Sequence, residues 1–464
     1  MVGIVSYGAY IPRYRLGKET AGWGLPIEKP VANFDEDSIT MAVAAGMDCI
    51  NGSDRNAVDA LLFATTTSPY IEKQGAAMVA AAIDLRRNIL TNDATNSLRA
   101  GTLAMRSALD SIAAGTAKQV MVTAADCRMG IPGSEFDQTS GDGAAALLFG
   151  NTGVIANVVD SYSVSDEVLD VWRAEGDSVV RTWEDRFVLQ VGYLKVLPEA
   201  ISGLMQKCNL TPKDITKAVF YGPNPRRHAE MARSLGLDPQ SQVQDPLFGR
   251  MGNTGTAYAL MLLIAALEEA KAGDKILMAS YGDGADAYLL EVTSEIEKLR
   301  PRRGVKGYLE SKRILPNYAL YTRWHGEGSR ALSGAPPSVS ARWREREEID
   351  RLHGVKCKNC GLVQYPPQRV CTRCHTKDSW ETVRLSDKKG KIFTFSLDYV
   401  APSVDIPLAI TIINFEGGGR GLFMMTDREL EEVKCEAPVE MSFRKLRSSG
   451  GVHNYYWKAI PPRA

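Results

Sequence analysis

The stretch Asp274–Leu290 reads DKILMASYGDGADAYLL, an apolar run that enters a tight Ser280-Tyr281-Gly282-Asp283-Gly284 turn and leaves as a second apolar run. This is strand, glycine turn, strand, and glycines in such a turn let backbone amides come close to a ligand. The first half of the chain repeats the plan, with AAGTAKQVMVTAAD at 113–126 followed by GDGAAALLFG at 141–150. Each copy follows an alanine-rich helical stretch, Leu103–Ala113 or Ala257–Ala272, closed by Ala-Gly. A chain that repeats one strand-and-helix plan is constrained to a duplicated α/β fold, with chemistry expected where the two glycine turns meet.

At 464 residues the chain has room for about three domains. The expected order is an N-terminal half over 1–160, a second half over 161–325, a linker over 326–340, a helix with a metal ribbon over 341–385 and a small all-β barrel over 386–464. Strands at Gly3–Ala9, Ala60–Thr65 and Asn88–Asn92 alternate with helices running from Phe34-Asp35-Glu36-Asp37 to about Ile50, at Gly75–Ile83 and at Thr95–Ala113, which predicts a mostly parallel sheet covered by helices. Ser161–Asp185 is polar and irregular and reads as a surface excursion between the halves. Gly326–Ser340 (GEGSRALSGAPPSVS) reads as a linker, and Ala341–Leu352 as a charged helix. Short strands at Gly390–Val400, Pro407–Phe415, Gly421–Met425, Val439–Arg444 and Tyr455–Lys458 fit an OB-type barrel.

Charge narrows the function. The 55 basic residues balance 55 acidic ones, so no electrostatic footprint points to nucleic acid or an anionic membrane. No apolar run reaches the roughly 18 residues that span a bilayer, and the N-terminus reads as a first strand rather than a secretion signal. Four of the 8 cysteines form two C-x-x-C knuckles, Cys357/Cys360 and Cys371/Cys374, with ten residues between them. That spacing predicts one structural zinc held by thiolates alone, with no position left for a reacting water. Free thiols beside such a site suit a reducing cytoplasm.

Several segments carry a resemblance: MVGIVSYGAYIPRYRL at 1–16, VFYGPN at 219–224, GNTGTA at 252–257 and ILMASYGDGA at 276–285. Together they resemble 3-hydroxy-3-methylglutaryl-CoA synthase of the archaeal type, in the thiolase superfamily. Residues 341–464 look like the rubredoxin-type zinc-ribbon and OB-fold domain that accompanies thiolase-like acyl-CoA enzymes. The resemblance implies a duplicated αβαβα fold, a homodimer joined through the thiolase-like part, and an acyl-CoA thioester as substrate.

The pattern departs from the family where its chemistry lies. Counting back from Gly101-Thr102 puts Leu98 at the nucleophilic cysteine, with Ser97 one residue away. The family's general-base glutamate falls on Thr66 and its histidine on Tyr221. The asparagine of Gly-Asn-Thr is kept, as Asn253. Leucine forms no thioester, and serine needs a base to activate it. The resemblance is then closest to the steroid side-chain aldolases, thiolase-fold proteins that lack the cysteine and use tyrosines. It implies aldol or retro-aldol cleavage of a 3-hydroxyacyl-CoA, with Tyr221, Tyr281 and Asn253 as the catalytic set.

Alternatives stay open at this point. Tyr221 and Tyr281 either handle protons or fill the vacated space. An acyltransferase using Ser97 or a displaced Cys127, or a silent scaffold subunit, would also suit the motifs. Arg226 and Arg227 are candidates for the CoA phosphates or form a solvated helix start. His228, His325, His353, His375 and His453 read as solvated.

Overall fold

A computed structural model describes residues 1–24, 26–325 and 338–463. Most of the expected linker, 326–337, lies outside the described residues. The chain divides into two compact units. One comprises Met1–Ala32, Asp37–Ala80 and Leu85–Tyr318; the other comprises Asn33–Glu36, Ala81–Asp84 and Ala319–Ala464.

The first unit is built on one nine-stranded sheet. In chain order its strands are β1 (Gly3–Tyr10), β2 (Ala60–Thr65), β3 (Leu90–Thr95), β4 (Val120–Asp126), β5 (Gly143–Gly150), β6 (Ala156–Ser165), β7 (Lys217–Phe220), β8 (Lys275–Tyr281) and β9 (Gly284–Val292). The spatial order is β7-β8-β9-β6-β1-β5-β4-β2-β3. The expectation of a mostly parallel sheet fails here. Only β7–β8, β4–β2 and β2–β3 are parallel, while every pairing from β8 through β9, β6, β1 and β5 to β4 is antiparallel. The reason lies in the glycine turns. Gly282 and Gly284, at φ +156° and +117°, fold β9 straight back on β8, so no crossover helix separates them.

Five helices matter for the site: α1 (Ser38–Ile50), α2 (Ala100–Ala113), α3 (Tyr193–Lys207), α4 (Pro225–Ser234) and α5 (Tyr258–Glu269). Helix α1 packs on β1, β4 and β5, and α3 on β6, β8 and β9. Helix α5 touches strands of both wings, β1 and β5 on one side and β7 and β8 on the other. Its YALMLLIAAL segment is buried all round, as a helix sandwiched between two sheet wings must be. The result is the layered, duplicated α/β architecture expected from the repeat.

Local departures are instructive. Helix α2 starts at Ala100 rather than Thr95, because Leu90–Thr95 continues as a strand and Asn96 turns the chain at φ +69°. Ser161–Asp185 lies mostly at the surface, as expected, but is not irregular throughout. Its first residues belong to β6, paired residue by residue with β9, and the remainder supplies Asp170, Val171, Trp172 and Val180 to cavity walls. In that remainder, Val171–Trp172 and Arg181–Thr182 pair as a two-stranded antiparallel patch.

In the second unit the charged stretch forms two short helices, Val339–Arg344 and Arg346–Ile349, instead of one. A three-stranded ribbon, β10 (His353–Cys357), β11 (Val363–Gln364) and β12 (Trp380–Arg384), follows. Strands β13 (Gly390–Asp398), β14 (Leu408–Phe415), β15 (Arg420–Met425), β16 (Pro438–Ser449) and β17 (Val452–Ile460) then close into a barrel in the order β13-β14-β15-β17-β16. A buried ionic cluster ties it internally. Arg444 meets Asp35 at 3.1 Å and Asp427 at 2.6 Å, and Lys458 meets Asp35 at 2.8 Å.

Candidate active site

Strands β7 and β8 run parallel in register, Phe220 beside Ala279, so the residues after them emerge together. Those residues are Tyr221, whose amide donates to the Ala279 carbonyl at 3.1 Å, and Tyr281 at the end of β8. Their ring centroids are 5.9 Å apart. Tyr193, the first residue of α3, completes an aromatic cluster at 6.1 Å from Tyr221 and 5.7 Å from Tyr281, and its hydroxyl donates to the Tyr221 carbonyl at 3.1 Å.

Asn253 arrives from a different element. Its amide donates to the Thr139 carbonyl at 2.8 Å, and its carbonyl accepts from the Gly141 amide at 3.0 Å. Gly252 holds φ +67°, and a β-carbon there would lie 2.6 Å from the Thr139 carbonyl oxygen. The Gly141-Asp142-Gly143 turn thus carries Asn253 into place, where its side chain acts on Tyr221 so as to favour the charged form. The two glycine turns do not share one role as expected. The first braces the Asn253 loop, while Gly282 and Asp283 of the second line a cavity.

Two cavities flank this cluster. The larger, about 500 Å³, has Tyr193, Tyr221, Tyr281, Asn253, Phe136 and Trp172 in its walls. The smaller, about 310 Å³, is walled by Thr66, Ser97, Leu98, Arg128 and Gly282. Asp170 lines both. Among the described residues, neither cavity is lined by a cysteine or a histidine.

Electrostatics sort the groups. Burial pushes the Tyr221 hydroxyl up to about 12, with the Asp170 charge adding and Arg128 opposing. Burial likewise raises Tyr281, and the nearby Asp170 charge raises it further. Both phenols are therefore donors and acids, not bases, at ordinary pH. Asp170 is lifted above the usual carboxylate range by burial, against Tyr281 and Arg128, which favour its charge. Among the described residues it is the one acid that lines both cavities.

Tyr221, Tyr281 and Asn253, named from the sequence, line one cavity, while Asp170, Arg128 and Tyr193 around it were not named. The signal for Asp170 was a lone acid inside the apolar run Val168-Leu169-Asp170-Val171-Trp172. Leu98 packs on the second glycine turn, where a β-carbon on Gly282 would meet its β-carbon at 2.8 Å. The Ser97 hydroxyl donates to the Gly282 carbonyl at 3.2 Å. Cys127 is half-buried and lines neither cavity. Arg226 is exposed on the first turn of α4, two residues past Asn224 in the larger cavity wall, and Arg227 pairs with Glu230 at 2.7 Å. The expectation that the histidines are solvated fails for His228 and His353. His228 is buried against Phe220, its ring 4.4 Å away, and burial lowers it to about 4; His353 meets Asp84 at 2.9 Å.

In the ribbon, Cys357 and Cys374 approach to 3.6 Å and Cys360 and Cys371 to 3.5 Å, with all four sulfurs within 4.8 Å of one another. A tetrahedron with Zn–S of about 2.3 Å has edges near 3.8 Å, so the donor set fits zinc.

Comparison with known proteins agrees with both parts. Residues 205–290 match the 3-oxoacyl-[acyl-carrier-protein] synthase III C-terminal family, and 344–379 match the ChsH2 rubredoxin-like zinc ribbon domain. Hydroxymethylglutaryl-CoA synthase of Methanopyrus kandleri is 34% identical over 339 residues, covering 69% of this chain and 96% of that protein. The Pyrococcus horikoshii synthase is 34% identical over 337 residues, covering 69% and 95%. Among solved structures, an HMG-CoA synthase complexed with CoA aligns with TM-score 0.62 at 19% identity, covering 69% of this chain and 89% of that one. A β-ketoacyl-[acyl carrier protein] synthase III from Thermus thermophilus aligns at 0.56 and 22%, covering 63% and 99%. These two show the fold, which is thiolase-like. With an archaeal-type synthase matched over nearly its whole length, the chain belongs to the hydroxymethylglutaryl-CoA synthase family and carries a ChsH2-type zinc ribbon beyond the matched part.

Proposed function

We propose that this protein is an acyl-CoA carbon–carbon lyase, interconverting a 3-hydroxyacyl-CoA with an acyl-CoA and an aldehyde or ketone by aldol chemistry, without an acyl-enzyme. The observation that carries the reading is the composition of the site. Tyr221, Tyr281, Asp170 and Asn253 converge on cavities that no thiol or imidazole lines among the described residues, and Leu98 stands at the family's nucleophile.

The cleavage balances with these residues alone. Asp170 accepts the β-hydroxyl proton, directly or through Tyr281. The O–H pair becomes the new carbonyl, the Cα–Cβ bond breaks, and its electrons pass to the thioester as an enolate. Tyr221, neutral and oriented by Asn253, delivers a proton to Cα. Return of the proton from Asp170 to Tyr221 resets the site. Arg226, beside the cavity wall, is the candidate for a CoA phosphate, with Arg227 turned to Glu230. The zinc would be held by Cys357, Cys360, Cys371 and Cys374 as a structural ion, and a homodimer through the thiolase-like part is part of this reading. Among the described residues no helix is long and apolar enough to cross a membrane.

A second reading has specific support. The relatives are named synthases, so descent favours Claisen-type condensation. It needs a nucleophile, and the Ser97 hydroxyl donates to the Gly282 carbonyl, with no hydrogen bond to a side-chain base among the described residues. Incubation with 3-hydroxyacyl-CoA thioesters, followed by trapping of free carbonyl product, tests the first reading. Failure across short, branched and aromatic substrates, with acyl transfer from acetyl-CoA instead, would establish the second.

A further inference from the structure

We infer that Arg128 is the charged donor to the enolate oxygen, a substrate-contacting residue that the motifs do not mark. The inference rests on the lyase reading for its place in the cycle, but its chemistry, enolate stabilisation, is common to aldol and Claisen reactions.

Arg128 follows β4 and is 5% exposed. Its stem crosses Gly255, where a β-carbon would stand 2.9 Å from its Cδ, and its guanidinium lies 4.8 Å from the Phe136 ring centroid. The nearby acid is already committed. Asp126 accepts from the Thr65 and Thr67 hydroxyls, each at 3.0 Å, from the Thr66 amide at 2.7 Å and from the Thr256 amide at 2.8 Å. Nη1 of Arg128 is buried with no acceptor among the described residues. The Thr66 hydroxyl oxygen, in the same cavity wall, is also buried without a partner. Two unsatisfied polar groups bordering one cavity form a site waiting for an oxygen, because buried donors are otherwise paired.

The charge is what matters. A guanidinium enclosed without a hydrogen-bonded carboxylate is costly in the resting protein, and a developing oxyanion offsets that cost only in the transition state. Arg128 shares its surroundings with Tyr221 and Asp170, the groups that would move the protons, and all three act on one another electrostatically. Of the two cations in that cavity wall, Arg173 is exposed and donates to the Thr66 carbonyl, so Arg128 is the buried one whose donor has no acceptor among the described residues.

The test is α-proton exchange of acetyl-CoA and propionyl-CoA in deuterated buffer, which reports enolate formation without any carbonyl partner. Arg128→Gln is expected to slow exchange about 10²–10³-fold with thioester affinity within threefold, and Arg128→Lys to recover about tenfold of the loss. Arg128→Met is expected to melt no lower than wild type, since it removes an uncompensated charge. Exchange absent from the wild type, exchange by Arg128→Gln within threefold of it, or weakened binding with exchange intact would overturn the assignment. The last would make the residue a reader of a substrate carboxylate. A markedly lower melting temperature of Arg128→Met would overturn it too, as a structural role. Intact wild-type exchange that Arg128→Gln loses, without carbonyl release from any 3-hydroxyacyl-CoA, would support Arg128 while refuting the lyase reading.

Discussion

The hydroxyl of Tyr281 rests on the backbone of Gly192: a β-carbon at that glycine would stand 2.2 Å from the phenolic oxygen. Gly192 precedes α3, and its neighbour Tyr193 is packed edge-on against the Tyr281 ring. The Tyr281 phenol is thus seated by the absence of a side chain at Gly192. Gly192→Ala is expected to displace Tyr281 and lower kcat nearly as far as Tyr281→Phe, while costing about 1–3 kcal/mol of stability through overpacking. Parallel kcat and thermal-melting measurements check this. An alanine variant with wild-type turnover would show that the hydroxyl position is not critical.

Tyr221→Phe removes one hydroxyl with little change of shape. A positioned acid is worth about 10²–10⁴-fold, or roughly 3–5 kcal/mol of barrier, so kcat should fall by that factor with a modest change in KM. Tyr221→His, which restores the family residue, is expected not to confer synthase activity while Leu98 remains. A Tyr221→Phe enzyme within about threefold of wild type would reduce the tyrosine to filler.

The pH profile follows from the two shifted groups. Asp170 works ionised, and burial holds it above the usual carboxylate range. Tyr221 works protonated and is held at about 12. The kcat/KM profile should therefore climb through a raised acidic pKa and stay level until strongly alkaline pH. Asp170→Asn should lower activity and abolish the acidic limb. The linkage has the matching sign. The folded chain keeps this proton where the unfolded chain has released it, so the stability from protonated Asp170 is lost as pH rises through its folded pKa. Asp170→Asn should consequently melt higher near neutrality, and an unchanged acidic limb would place the base elsewhere.

Zinc removal has a local consequence. The four sulfurs are gathered by the β10–β11 turn and the loop before β12, with little apolar core of their own. Structural zinc in such ribbons is worth on the order of 10 kcal/mol. Metal analysis is expected to find one zinc per chain, and Cys371→Ser should unfold the ribbon while leaving chemistry in the first unit less affected. Purified protein without stoichiometric zinc would refute this.

How much of this was legible in the sequence depends on range. The glycine turns, the buried helix α5 and the cysteine knuckles are local patterns, and each appears where it was read. Tyr221 and Tyr281 were singled out through the family resemblance, and their meeting follows from parallel strands that end side by side. Asp170 and Arg128 were not, since each reaches the site through long-range contacts that periodicity does not encode. The 161–185 segment reads as polar coil, yet β6 pairs with β9 and carries Asp170 over both cavities. The sheet direction was misread for the same reason: two helices and a hairpin can follow one another with little change of local pattern.

The central claim is carbon–carbon cleavage without a covalent intermediate, and the intact mass of the protein quenched during turnover of a 3-hydroxyacyl-CoA tests it most directly. The account predicts an unmodified chain alongside accumulating free aldehyde or ketone. An acyl adduct on the chain, at Ser97, Cys127 or any other residue, would contradict it.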